Sequence, residues 1–168
     1  MKRETIRQTK KSLKVLKNNG FRPPFQIITD NSFIKAINKA KVSPAMFTDL
    51  FRSEPKFFMT KCTYDLHKAN LVEKDFSGYC EIIKCGHEKA DINCVYNFIK
   101  ENNPHHYILA TNNLAYILKL KESKHIPILK ISKSVLKIEC NQLNTETKQY
   151  VAEKASKGEL KRLKKMFE

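Results

Sequence analysis

The chain has 168 residues, 32 lysines and arginines against 17 acids, a formal charge of +15, and 41% apolar residues. That length holds one domain with a real core, and that apolar content excludes a disordered tail. No apolar run reaches the length of a spanning helix, and the first nineteen residues lack a signal peptide's apolar centre. These features predict no membrane association and an intracellular protein with reduced thiols, which the odd number of cysteines, five, suits. The polyanion that so basic a chain would meet is nucleic acid.

Residues 1–20 read as a basic arm, with Lys2, Arg3, Arg7, Lys10, Lys11, Lys14 and Lys17 against Glu4. Its apolar face (Ile6, Leu13, Leu16) is thin, so the arm is expected to be helical only when docked. Gly20 and Pro23-Pro24 then break the helix. "FQIITD" is a buried strand ending at Asp30, followed by the amphipathic helix "NSFIKAINKAK". Ser43-Pro44 predicts an N-cap and first helical residue. "KFFMTKC" is a second strand and "YDLHKANLVEK" a helix. Asp91 caps a helix whose Ile92, Val95, Tyr96 and Ile99 share a face. "HYILAT" is a third buried strand feeding "NNLAYILKLKE", "IPILKI" and "SVLKIE" are two more strands, and Thr145 opens a last helix.

Strands alternating with helices, several of them continuous apolar runs, define an α/β domain with a mostly parallel sheet covered on both faces. Sites in such sheets form at the carboxyl ends of the strands. Those ends are Asp30, the Thr60-Lys61 corner and the Thr111-Asn112-Asn113 corner.

Residues 80–94, "CEIIKCGHEKADINC", hold three of the five cysteines and one of the five histidines. Cys80, Cys85, His87 and Cys94 supply the number and type of ligands that a closed tetrahedral Zn²⁺ site takes. The spacing matches neither a two-cysteine two-histidine finger nor paired Cys-x-x-Cys knuckles. The alternative reading makes Cys80 and Cys94 small buried hydrophobes, with Cys85 and His87 in a loop. Cys62 and Cys140 read as core cysteines.

Three basic clusters are candidate nucleic-acid contacts. The first is the N-terminal arm. The second is Lys119, Lys121, Lys124, Lys130 and Lys133. The third is Lys154, Lys157, Lys161, Arg162, Lys164 and Lys165. Lysine far outnumbers arginine, which favours attraction to phosphates over bidentate reading of base edges. His105 and His106 are expected to form a structural turn, with nucleic-acid contact as the minor alternative.

"FRPPFQIITDNSFIKA", "TKC", "NPHHYILATNN" and "HIPILKI" together resemble the ribosome-biogenesis PIN-domain family, over nearly the whole chain. The resemblance implies a PIN-like α/β fold spanning residues 21–145, with a zinc-binding insertion near 78–95; the basic C-terminal helix at 146–168 packs on or extends from it. It implies a nucleolar role in 18S ribosomal RNA maturation, with pre-ribosomal RNA, an H/ACA small nucleolar RNA and other small-subunit processome proteins as partners and no small-molecule substrate. It also implies a structural Cys-Cys-His-Cys zinc motif matching Cys80, Cys85, His87 and Cys94.

PIN nucleases hold Mg²⁺ or Mn²⁺ on acids converging from strand ends. Asp30 matches the first acid. At the second, "CTYDLHK" has Leu66, with Asp65 one residue early. The third is Asn93, with Asp91 two residues off, and the fourth is Asn113. The expectation is a degenerate, noncatalytic site in an RNA-binding assembly factor, with Asp30 a relic or a helix cap. The alternatives are an endoribonuclease using Asp30, Asp65 and Asp91 with Mg²⁺ or Mn²⁺, and a protein-interaction scaffold in pre-ribosome assembly.

Overall fold

Short apolar runs pair into the middle of one sheet because they have nothing polar to offer on either face. The computed structural model describes residues 3–68, 75–89, 91–99, 102–120 and 126–140. β1 (Gln26–Thr29) lies between β2 (Lys56–Thr60) and β4 (Tyr107–Ala110), parallel to both. β3 (Cys80–Ile83) extends the sheet beyond β2, and β5 (Ile128–Ser132) beyond β4, again in parallel. β6 (Val135–Glu139) returns antiparallel along β5 through the two-residue turn Lys133-Ser134, both at positive φ. The strand order is β3-β2-β1-β4-β5-β6. The chain builds one side of β1, then crosses to the other. The carboxyl ends of β1 and β4 therefore flank the point where strand order reverses.

Alternation along the strands divides the core into two layers. Ile27, Ile108 and Leu129 face one layer, with Phe25, Phe33, Phe47, Phe57 and Phe76. Ile28, Leu109 and Ile128 face the other, with Val95, Ile99, Ile117 and Leu120. The first layer is covered by α1 (Arg3–Asn18), α2 (Asn31–Ala40) and α3 (Pro44–Phe51). α5 (Cys94–Ile99) and α6 (Leu114–Leu120) cover the second, and α4 (Lys61–Lys68) follows β2 directly.

The N-terminal segment, expected to be helical only when docked, is a helix docked on the sheet. Arg3–Asn18 is a sixteen-residue helix. Its thin apolar face is the docked face: Leu16 is fully buried and Leu13 nearly so, both in the first core layer. The Ser12 hydroxyl donates to the Ile138 carbonyl of β6 at 3.3 Å. A helix needs little apolar surface when the sheet beside it is already built.

Three differences have local causes. The cysteine-rich segment, to which the sequence assigned no strand, opens with β3, an edge strand held by pairing to β2, its side chains exposed or half-buried. α4 starts at Lys61, three residues earlier than expected. Ile92 lies before α5 and is 69% exposed, so it is outside the buried face of Val95 and Ile99. Ser43 stands at the N-cap of α3 with Pro44 at N1 as expected, but its hydroxyl makes no cap bond. The expected final helix and its lysines lie outside the described residues, as do Lys2, Lys121 and Lys124. Among the described residues no helix is long and apolar enough to cross a membrane.

Candidate metal centre and the strand-end acids

The carboxyl edge of β2 and β3 gathers four soft ligands. Cys62 lies in the first turn of α4, Cys85 and His87 in the loop after β3, and Cys94 at the start of α5. Their ligand atoms all lie within 4.8 Å of one another, and the Cys62 and Cys85 sulfurs are 3.4 Å apart. Around a tetrahedral zinc with Zn–S bonds of about 2.3 Å, two sulfurs stand about 3.8 Å apart. Donor set and spacing fit Zn²⁺ with all four positions filled by protein. Cys62 and Cys94 are buried, Cys85 is half-buried and His87 is exposed, so the group bridges core and loop.

The set corrects the sequence expectation in one member: Cys62 takes the place assigned to Cys80. Cys80 opens β3, paired with Phe57, whereas Cys85 lies beyond the strand's other end. An extended strand rises about 3.3 Å per residue and carries Cys80 well away from the loop. Its thiol instead sits 3.9 Å from the Thr29 hydroxyl and 3.8 Å from the Phe76 carbonyl. Burial pushes that thiol up to about 12. Cys62 reaches the group because β2 and β3 run parallel, which brings the Thr60-Lys61 corner beside the loop after β3. That corner reads as a strand end in the sequence, but nothing local ties its neighbouring cysteine to the loop.

The thiols respond differently to this environment. At Cys85 burial acts upward, but hydrogen bonds from Cys62, Cys94 and the His87 backbone outweigh it and bring the thiol down to about 7. At Cys94 burial dominates and the neighbouring thiols add to it, against the Thr60 hydroxyl, giving about 12. Packed thiols resist ionising together, and a divalent cation among them removes that resistance.

Asp30 sits where β1 and β4 part. Its carboxylate accepts from Phe33 N–H at 2.8 Å and from the Thr111 hydroxyl at 2.5 Å, and the Ser32 hydroxyl faces both oxygens at 2.8 and 2.9 Å. It is the N-cap of α2. Burial raises its pKa against the lowering effect of these bonds. The Ser32 hydroxyl accepts from Asn112 N–H, and Asn112 bonds both the Ile131 carbonyl and N–H at 2.9 Å. These bonds form one network running from α2 to β5 at the switch point.

The other acid positions do not join Asp30. Asp65 is exposed on α4. Asp91 accepts from Asn93 N–H at 2.9 Å in a turn before α5. Among the described residues, Asp30, Asp65 and Asp91 form no ligand group. Asn93 Oδ1 accepts from the Tyr116 hydroxyl at 2.8 Å, and Asn113 Oδ1 caps α6 through Ala115 N–H at 3.0 Å. Amides can serve in both places, and they carry no charge to hold Mg²⁺ or Mn²⁺.

Sequence reasoning missed a second polar knot near this edge. His67 on α4 is buried; Nε2 pairs with the Asp75 carboxylate, and Nδ1 lies 3.2 Å from the Asn31 amide oxygen. Asp75 also accepts from Asn38 at 2.9 Å and from Ser77 N–H at 3.0 Å. Burial would raise its pKa, but these bonds and His67 hold it below the usual carboxylate value. A histidine closing a helix next to lysine gives no sequence signal of such a partner.

Of the basic candidates, Arg7, Lys10, Lys11, Lys14 and Lys17 are exposed along α1. Lys119 is exposed on α6, with Nζ 5.9 Å from the Tyr96 ring. Lys130 pairs with Glu139 across β5 and β6, which removes it from the free basic surface, and Lys133 stands at the turn.

A mostly parallel six-stranded sheet with helices on both faces and functional positions at its strand ends is the PIN-type α/β fold. The solved structure described as "Structure of the PIN domain endonuclease Utp24" aligns with a TM-score of 0.59, covering 71% of this chain and 95% of that one. At 19% identity this is a likeness of fold. The Fcf1 family profile matches residues 49–140, more than half of the chain, and the chain belongs to that family of ribosome-biogenesis PIN proteins.

Proposed function

We propose that this chain is a noncatalytic RNA-binding assembly factor of the small-subunit processome. It acts in the nucleolus in 18S ribosomal RNA maturation, beside an H/ACA small nucleolar RNA and other processome proteins. Its motifs resemble those of U-three snoRNA-associated protein twenty-three.

The observation that carries the noncatalytic reading is the state of Asp30. Both its oxygens are engaged by Phe33, Ser32 and Thr111, while the companion acid positions hold Asn93 and Asn113 in structural bonds. A metal would have to displace those donors with one buried carboxylate as its anchor.

Zinc held by Cys62, Cys85, His87 and Cys94 would be structural, since no position is left for water. It would tie α4, the loop after β3 and α5 into one edge where the loop has little core of its own. RNA binding itself falls to lysines acting as point charges on phosphates. Affinity of the full chain for single-stranded ribosomal RNA fragments should fall linearly on a log–log plot against salt, by about 0.7 in slope per phosphate neutralised. Affinity indifferent to salt, or no binding at low salt, would favour the protein scaffold instead.

A further inference from the structure

The Asn-Pro-His-His-Tyr run lies at the amino ends of the strands, opposite the metal centre. Asn103 fixes the start of β4: its amide donates to the Tyr107 carbonyl and its oxygen accepts from Tyr107 N–H, both at 2.8 Å. His106 N–H bonds back to the Asn103 carbonyl at 3.0 Å. Asn103 and His106 are both in the left-handed region, at φ 42° and 53°. Asparagine and histidine are among the residues with a Cβ that adopt this conformation most readily. The outcome is a tight turn carrying exposed His105 and His106.

Facing it is the segment that leaves α1. Gly20 has φ +89°, and a Cβ there would lie 2.9 Å from His106 Nε2. Only glycine lets the imidazole lie against this backbone. Phe21 meets the same imidazole edge-on, with ring centroids 5.1 Å apart. Between the two segments opens a cavity of about 160 Å³ lined by Gly20, Arg22, Gln26, His105 and His106, and backed by buried Phe21 and Phe25. No carboxylate lines it.

An arginine, two imidazoles and an amide around a concave space without an acid form an anion site. The space is smaller than the roughly 300–1,000 Å³ pockets that enclose drug-sized ligands. It suits a phosphoryl group, which an arginine grips through paired N–H donors. Arginine is scarce in this chain, so Arg22 at the pocket differs in kind from the lysines around it.

The approach to the pocket is basic as well. Arg7, Lys10, Lys14 and Lys17 recur at three- and four-residue steps on the exposed face of α1, opposite Ser12, Leu13 and Leu16. The helix closes with Gly20 N–H bonding to the Lys17 carbonyl at 3.2 Å. The stripe runs about 15 Å along the helix, at ~1.5 Å per residue, and the chain then continues into the pocket wall.

We propose that the cavity between Gly20-Phe21-Arg22 and His105-His106 is a phosphate site that grips one backbone phosphoryl group of a bound RNA strand, at the end of a track laid along α1. This rests on the RNA-binding reading above and adds to it a particular contact. Arg22 and His105 are exposed, so Arg22→Gln combined with His105→Gln removes the grip without touching the core.

The test uses the full chain. Fluorescence anisotropy with a short single-stranded oligoribonucleotide should show affinity about tenfold weaker in the double variant, and a salt slope smaller by about 0.7, one phosphate contact. Lys35→Gln, a charge lost from the exposed face of α2, serves as the comparison and should change affinity far less. In a second arm, NMR follows the His105 and His106 imidazole resonances during titration with inorganic phosphate, then with the RNA; both should shift them. If RNA binds and the double variant equals the wild type, the phosphate site is overturned and the RNA-binding reading stands. If RNA does not bind but inorganic phosphate moves those resonances, the RNA-binding reading fails and the site holds for free phosphate. If neither ligand moves them, the site is overturned.

Discussion

Replacing Cys62 by serine separates the candidate metal group assembled by the fold from the one the sequence suggested. Cys62 is 3% exposed, and its sulfur lies 3.4 Å from that of Cys85 within a four-ligand group no wider than 4.8 Å. Serine at that place lacks the thiolate that zinc takes. Structural zinc contributes about 10–16 kcal/mol of apparent binding energy in isolated fingers. Here the effect on folding should be smaller, because Cys62 and Cys94 are also core residues. Breaking the site is expected to lower stability by about 3–5 kcal/mol, comparable with losing one partner of a buried charge pair. For a domain of this size that corresponds to a fall in Tm of about 6–20 °C, at roughly 2–4 °C per kcal/mol. Cys80→Ser is the internal comparison: its thiol contacts Thr29 and Phe76 and lies away from the metal group. That exchange should cost about 1 kcal/mol and leave the metal in place. Elemental analysis of the purified variants should give about one zinc per chain for wild type and Cys80→Ser, and well under half for Cys62→Ser. Zinc retained in Cys62→Ser and lost in Cys80→Ser would refute the ligand assignment. A wild-type chain purified without zinc, whose folding chelators leave unchanged, would refute the centre.

The two buried carboxylates predict opposite responses to pH. Asp30 has a raised pKa, so ionising it costs stability: its contribution is intact below the usual carboxylate value and declines as pH rises through the folded value. Asp30→Asn should remove that decline, and chemical denaturation at several pH values will show whether the wild type loses stability relative to the variant on going up. Asp75 has a lowered pKa, so its contribution is present above the usual value and lost as pH falls; the gap between wild type and Asp75→Asn should close in acid. At neutral pH Asp30→Ala should cost about 2–4 kcal/mol, from a lost N-cap and the stranded Thr111 hydroxyl. An alanine variant as stable as the wild type would mean that the cap network is not structural.

The fold was legible where one signal sufficed. β1, β2, β4 and β5 are apolar runs, β4 buried throughout and β1 nearly so, and Gly20, Pro44 and Asp30 mark helix boundaries by backbone geometry and capping. β3 was not legible, since "CEII" at a sheet edge has mostly exposed side chains and owes its form to β2. Spacing found three of the four metal ligands because Cys85, His87 and Cys94 are neighbours in sequence. Cys62 is brought to them by parallel pairing of β2 and β3, which no local pattern carries. The amides at Asn93 and Asn113 were readable in the sequence, but their use in bonding Tyr116 and capping α6 required the structure. The thin apolar face of α1 understated its burial, because two leucines and a serine suffice against a finished sheet.

The central claim is that this PIN-type domain binds RNA without cutting it. The most direct measurement incubates the zinc-loaded full chain with structured and single-stranded ribosomal RNA fragments in Mg²⁺, Mn²⁺ or EDTA, beside Asp30→Asn, and resolves the RNA on native and denaturing gels. The account predicts a salt-sensitive shift on the native gel and intact RNA in every denaturing lane. Metal-dependent cleavage that Asp30→Asn abolishes would contradict it, and would make Asp30 catalytic together with Asp65 and Asp91.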